Sequence, residues 1–89
     1  MTIAEMKSSA YRYAELWREL MPTIPTPGAD QFMMWAGVYT EEQIARGISG
    51  AARKLRAMWN ADRSMTSEEV ARYASSIMRN EATGRRRFQ

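Results

Sequence analysis

Residues 39–59, YTEEQIARGISGAARKLRAMW, carry Ile44, Ile48, Ala51, Ala52, Leu55, Met58 and Trp59 at steps of three and four. On a 3.6-residue helix that spacing makes one apolar stripe about six turns long, and the other elements must pack around it. The start of this helix is written into the residues before it. Thr40 is placed to cap the first turn, Gln43 to reach back, and Tyr39 to staple onto Ile44. Gly47 and Gly50 lie inside the helix, where each costs about 1 kcal/mol relative to Ala. The expected compensation is close approach of another backbone.

With 89 residues there is room for one domain, expected over 1–84 with a basic tail at 85–89. Apolar residues make up 45% of the chain, and three Trp, four Tyr, two Phe and eight Met supply enough bulk for a core without staples. Cys and His are both missing. Thiolate nucleophiles, imidazole bases, disulfides and the usual zinc ligands are therefore ruled out, so neither an enzyme, a cofactor nor a metal is expected. No apolar run approaches the roughly 18 residues of a membrane span, and MTIAEMKSS is too polar for a signal peptide. The expectation is a cytoplasmic protein with no membrane contact.

Ahead of the long stripe, residues 3–21 place Ile3, Met6, Ala10, Tyr13, Ala14, Trp17, Leu20 and Met21 on one helical face. Thr2 with Glu5 forms a capping box and Met1 is set to staple onto Met6. The opposite face, with Glu5, Lys7, Ser8, Arg12, Glu15, Arg18 and Glu19, reads as solvated surface. Residues 21–28, MPTIPTPG, hold all three prolines and end this helix, because Pro lacks a backbone donor and biases its predecessor away from αR. Thr26 and Pro27 then read as N-cap and first residue of a short second helix over 27–37. Most of its residues from Phe32 onward are apolar or small, which suits an element wedged into the core; Met33, Met34 and Trp35 are the alternative, an apolar partner surface. After a polar break at 60–64, a last helix over 67–81 repeats the cap with Thr66 and Glu69 and a Met65–Val70 staple, and Gly84 marks its end. No segment alternates with period two, so the fold class is all-α: a compact bundle of four helices, the second short, around Trp17, Phe32, Trp35, Ile44, Ile48, Leu55, Tyr73 and Ile77.

The carboxylate pairs Glu41–Glu42 and Glu68–Glu69 each fall in a first helical turn, where the helix dipole favours negative charge; capping accounts for them without catalysis. Basic residues are the richer signal. Of 13 cations 11 are Arg, and from residue 43 onward nine Arg and one Lys face four carboxylates. Arg46, Arg53, Lys54 and Arg56 lie on the polar side of the long helix, and Arg85, Arg86 and Arg87 close the chain. That set is the candidate for following phosphates or a partner's carboxylates; high Arg and Ala usage also follows genomic base composition. The text TEEQIARGISGAARKLRAM is similar to a DNA-reading helix-turn-helix, but the apolar stripe stays in phase through Gly47 and Gly50, which favours one continuous helix.

The run Pro25, Thr26, Pro27, Gly28, then Gln31, Phe32 and Trp35, resembles a P-S-P-G-Q-F-x-x-W segment of phage replication proteins that load the host replicative helicase. Thr40, Glu42, Gln43, Ile44, Gly47 and Ile48 are similar to their T-x-E-Q-I-x-x-G-[LI] segment. The two stretches cover about a quarter of the chain, with Ala29 and Asp30 as an insertion in the first. The resemblance implies a phage or mobile-element protein that binds a host protein partner, and it brings no catalytic residues. The expected function is a small non-enzymatic binding protein acting on a host machine of replication or defence, with nucleic acid as a further partner. A small DNA-binding regulator using 40–59 and the Arg tail, and a homo-oligomer joined through Met33, Met34 and Trp35, are the alternatives.

Overall fold

The computed structural model describes residues 2–61 and 64–84. Four α-helices follow one another: α1 (Ile3–Leu20), α2 (Ala29–Val38), α3 (Glu41–Asn60) and α4 (Ser67–Thr83). Three of them open on a reciprocal capping box. Thr2 with Glu5, Thr40 with Gln43 and Thr66 with Glu69 each exchange two hydrogen bonds of 2.8–3.2 Å between side chain and backbone. These satisfy first-turn amides that have no partner within the helix. α4 ends on Gly84, whose φ of 72° lies in the left-handed region that glycine adopts without strain. α3 is continuous through Gly47 and Gly50, so the chain has no helix-turn-helix break there.

α2 begins two residues later than the Thr26–Pro27 signal suggests. Its N-cap is Gly28, which offers no side-chain cap. The linker is held open by contacts from elsewhere in the fold: the Trp17 indole N–H donates to the Ile24 carbonyl at 3.2 Å, and the Ser67 hydroxyl donates to the Pro25 carbonyl at 2.7 Å. Both anchors fall before Pro27, and the first turn closes only from Gln31 N–H to the Gly28 carbonyl at 3.1 Å.

α3 and α4 pack antiparallel in a close register. Arg46 meets Glu81, Gly50 meets Ile77 and Lys54 lies over Tyr73, so contacts advance by about one turn on each helix. Of the two interior glycines, Gly47 is the one that another backbone approaches, while Gly50 meets only the Ile77 side chain of α4. A Cβ at Gly47 would sit 2.9 Å from the backbone oxygen of Ala74 and 2.6 Å from Met78 Cγ. Gly47 thus marks where the α4 backbone comes closest.

α1 and α2 form a second antiparallel pair, with Gly37 beside the Met6 sulfur at one end. Between them Trp17, Phe32 and Trp35 stack edge to face at centroid separations of 6.2 and 5.6 Å. The Trp35 indole N–H then donates to the Ser75 hydroxyl at 2.9 Å, tying α2 to α4. Arg12 of α1 pairs with Glu41 at the start of α3. The core contains Trp17, Phe32, Trp35, Ile44, Ile48 and Leu55 as expected, together with Met21, Val70, Ala74 and Met78. Two expected core residues are displaced. Tyr73 is exposed beneath the Lys54 ammonium and Ile77 is only half-buried with its Cδ1 over Gly50, because Ala74 and Met78, one position further round α4, are the residues turned onto Gly47 of α3. The α3 stripe also outruns the core: Met58 is half-buried and Trp59 is exposed.

Candidate functional site

Lys7, Tyr11, Ala14 and Arg18 stand four, three and four residues apart, in one row along α1. The row lies beside the stripe that α1 buries. Across from it α2 presents Ala29, Met33 and the edge of Phe32, and Thr26 and Pro27 of the linker close one end. Together they line an open cleft of about 430 Å³ whose interior is apolar and whose two ends carry the cations Lys7 and Arg18. Among the described residues no carboxylate lines it.

The cleft belongs to the half of the molecule that leaves most apolar bulk uncovered. Ile3, Tyr11, Met34 and Val38, four of the six large exposed hydrophobics among the described residues, all come from α1 and α2. Single exposed apolar residues are ordinary, but a concentration on the helix pair that also holds an apolar cleft is the pattern of a surface that something covers. Tyr11, 65% exposed, stands in the middle of the cleft's α1 wall.

The expected apolar surface of Met33, Met34 and Trp35 is therefore split by the helix. Met33 lines the cleft, half-buried; Met34 is exposed on the ridge of α2 and borders a second hollow toward α4. Trp35 is 1% exposed and is a core residue, since it lies about a third of a turn from Met34 and its indole is engaged by Ser75. In the second hollow the Gln31 amide nitrogen is buried without a partner, while Asp30, Glu68 and Arg72 stand at its edge.

Among the described residues the basic candidates are spread along α3, with Arg46 and Arg53 lining one open hollow beside Ile77 and Glu81. Arg46 is held by Glu42 at 2.9 Å and by Glu81 at 3.0 Å, so its charge is already answered. Lys54 lies 5.8 Å from the centroid of the Tyr73 ring. Arg53 and Arg56 are exposed on α3, about a sixth of a turn apart in projection. Arg85, Arg86 and Arg87 lie outside the described residues, as do Arg63 and the Met1 staple. The paired carboxylates are all engaged: Glu41 with Arg12, Glu42 with Arg46, Glu68 with Arg72 at 3.3 Å, and Glu69 in its capping box. Among the described residues no three His, Cys, Asp or Glu side chains gather as a metal site requires, and no helix is long and apolar enough to cross a membrane.

By its spacing alone α1 places Lys7 and Arg18 on a solvated face and gives Tyr11 no role. The signal was present in the spacing, an aromatic residue between two cations in a row parallel to the buried stripe, but its meaning depends on where α2 lies. Compared with known proteins, the chain matches no family model, no curated protein and no solved structure.

Proposed function

We propose that this chain is a small non-enzymatic binding protein, of phage or mobile-element type, that engages a host protein machine through its α1–α2 pair. The observation that carries the reading is the uneven surface. α3 and α4 are joined by close backbone packing and the Arg46–Glu81 ion pair, whereas α1 and α2 leave Ile3, Tyr11, Met34 and Val38 exposed, with Tyr11 in the wall of an apolar cleft. A protein surface is the partner that gains from covering such residues, because apolar area removed from water is worth about 25 cal/mol per Å². The phage assignment rests on the resemblance of the Pro25 to Trp35 and Thr40 to Ile48 runs. Thr26, Pro27 and Gln31 of the first run border the cleft and the second hollow, while Ile44, Gly47 and Ile48 of the second serve the core. Nucleic acid ranks second, since among the described residues Arg46 is already paired with two carboxylates and the exposed cations of α3 that remain, Arg53, Lys54 and Arg56, make a small phosphate-binding set.

The test is affinity capture from a bacterial lysate with the wild-type chain, Tyr11→Glu, Met34→Glu and the double variant Arg53→Glu, Arg56→Glu. The expected result is a discrete protein retained by the wild type and the Arg double variant and lost from Tyr11→Glu and Met34→Glu. Retention of nucleic acid that disappears in the Arg double variant, with no protein lost at Tyr11 or Met34, overturns the reading.

A further inference from the structure

We propose that the occupant of the α1–α2 cleft is an amphipathic helix of the partner protein, with a carboxylate at each end of the face it buries. The proposal rests on the binding function above and specifies the chemistry of what is bound.

Three features of the cleft select that occupant. Its walls are mostly apolar, with Ala14, Phe32, Met33 and the Tyr11 ring, and the Tyr11 and Thr26 hydroxyls are too few to line a phosphate backbone or a sugar. Among the described residues its only charges are Lys7 and Arg18, and neither makes an ion pair with another of them. The two cations sit eleven positions apart on one helix, which separates their backbones by about 16 Å, three turns. A helix lying along α1 presents side chains at the same pitch, so acidic residues eleven apart meet both cations. Apolar residues four and seven positions in from one end then fall opposite Tyr11 and Ala14. This is recognition of a helix in a groove, with apolar anchors between charged ends.

A second copy of this chain is a poor occupant for two reasons. None of its own helices carries two carboxylates eleven residues apart, so it does not supply the complement. A two-fold pairing of α1 on α1 about the middle of the cleft also brings Lys7 of one copy against Arg18 of the other, and like charges facing each other oppose association.

The experiment uses two stapled Ala-rich helical peptides with Leu at positions five and eight. One has Glu at positions one and twelve, and its twin has Lys there. Binding to the full chain is followed by amide chemical-shift mapping at low salt. The Glu peptide is expected to move Tyr11, Ala14 and Met33 saturably, and to bind about tenfold more tightly than its twin, the combined effect of two rim charges at a few-fold each. The double variant Lys7→Glu, Arg18→Glu, whose changes lie on exposed positions, is expected to reverse the preference. Equal binding of the two peptides, binding of neither, or a dimer in solution that covers Tyr11 overturns the proposal. If a lysate protein is still lost from Tyr11→Glu in those cases, the binding function stands and only the acidic helix fails. If that loss is missing too, both fail.

Discussion

Replacing Gly47 by Ala and Gly50 by Ala separates the two glycines that punctuate α3. Both substitutions gain the same intrinsic term, about 0.8–1 kcal/mol from removing glycine from a helix interior. What they meet differs. A methyl on Gly47 lies 2.6 and 2.7 Å from Met78 Cγ and Cε and 2.9 Å from the Ala74 carbonyl oxygen. Met78 is fully buried and the carbonyl belongs to the α4 backbone, so relief requires the helices to separate. Overpacking of this kind costs about 1–3 kcal/mol, and a backbone contact puts Gly47 in the upper half of that range. The net expectation is a loss of about 1–2 kcal/mol, which lowers the melting temperature by about 5–15 °C for a chain of this size.

A methyl on Gly50 crowds only Ile77 Cδ1, at 2.6 Å, the far end of a half-buried side chain. Turning that side chain costs about 0.5–1 kcal/mol, so Gly50→Ala comes out near neutral or slightly stabilising. Urea unfolding followed by circular dichroism at constant slope measures both values. A Gly47→Ala protein as stable as wild type, or equal shifts in the two variants, would refute the close packing of α3 on α4.

Two further perturbations probe the remaining joints. Ser75→Ala leaves the buried Trp35 indole N–H without an acceptor and is expected to destabilise by about 1–2 kcal/mol, whereas Ser76→Ala, whose hydroxyl bonds only the Tyr73 carbonyl of its own helix, changes stability by less than about 0.5 kcal/mol in the same melts. Burial first, and the Glu41 carboxylate second, raise the Tyr13 phenol above its usual 10.0, against a smaller opposing effect of Arg12. Below pH 10 the phenol is neutral folded and unfolded; above it the unfolded chain ionises first, so stability falls as pH rises through the folded pKa, and Tyr13→Phe is expected to remove that alkaline loss from a pH series of urea midpoints.

The local rules of helix formation were legible from the residues because they act over three or four positions. Thr2, Thr40 and Thr66 each announced a capping box that forms, and Gly47 announced a close approach that is made by the Ala74 backbone. Where the reading slipped, a contact distant in sequence had decided the outcome. Thr26 carries the residues of an N-cap, but Trp17 and Ser67 hold the linker extended on the side before it, and the helix begins after Gly28. The apolar run puts Trp35 in the core, with an apolar surface shared with Met33 and Met34 as the alternative; Trp35 is buried against Phe32 and bonded to Ser75, forty residues on, while Met34 is left outside. The cleft is the extreme case. Lys7, Tyr11 and Arg18 become its wall because α2 returns antiparallel along α1, and nothing within α1 records that.

The most direct measurement of whether the α1–α2 pair is the working surface is photo-cross-linking in bacterial cells, with Tyr11→benzoylphenylalanine and Arg53→benzoylphenylalanine chains compared side by side. A binding protein that acts through the cleft gives a discrete protein adduct from position 11, identified by mass spectrometry, that is missing from position 53. An adduct formed only at position 53, cross-linking to nucleic acid from either position, or an adduct at position 11 that consists of two copies of this chain would contradict it.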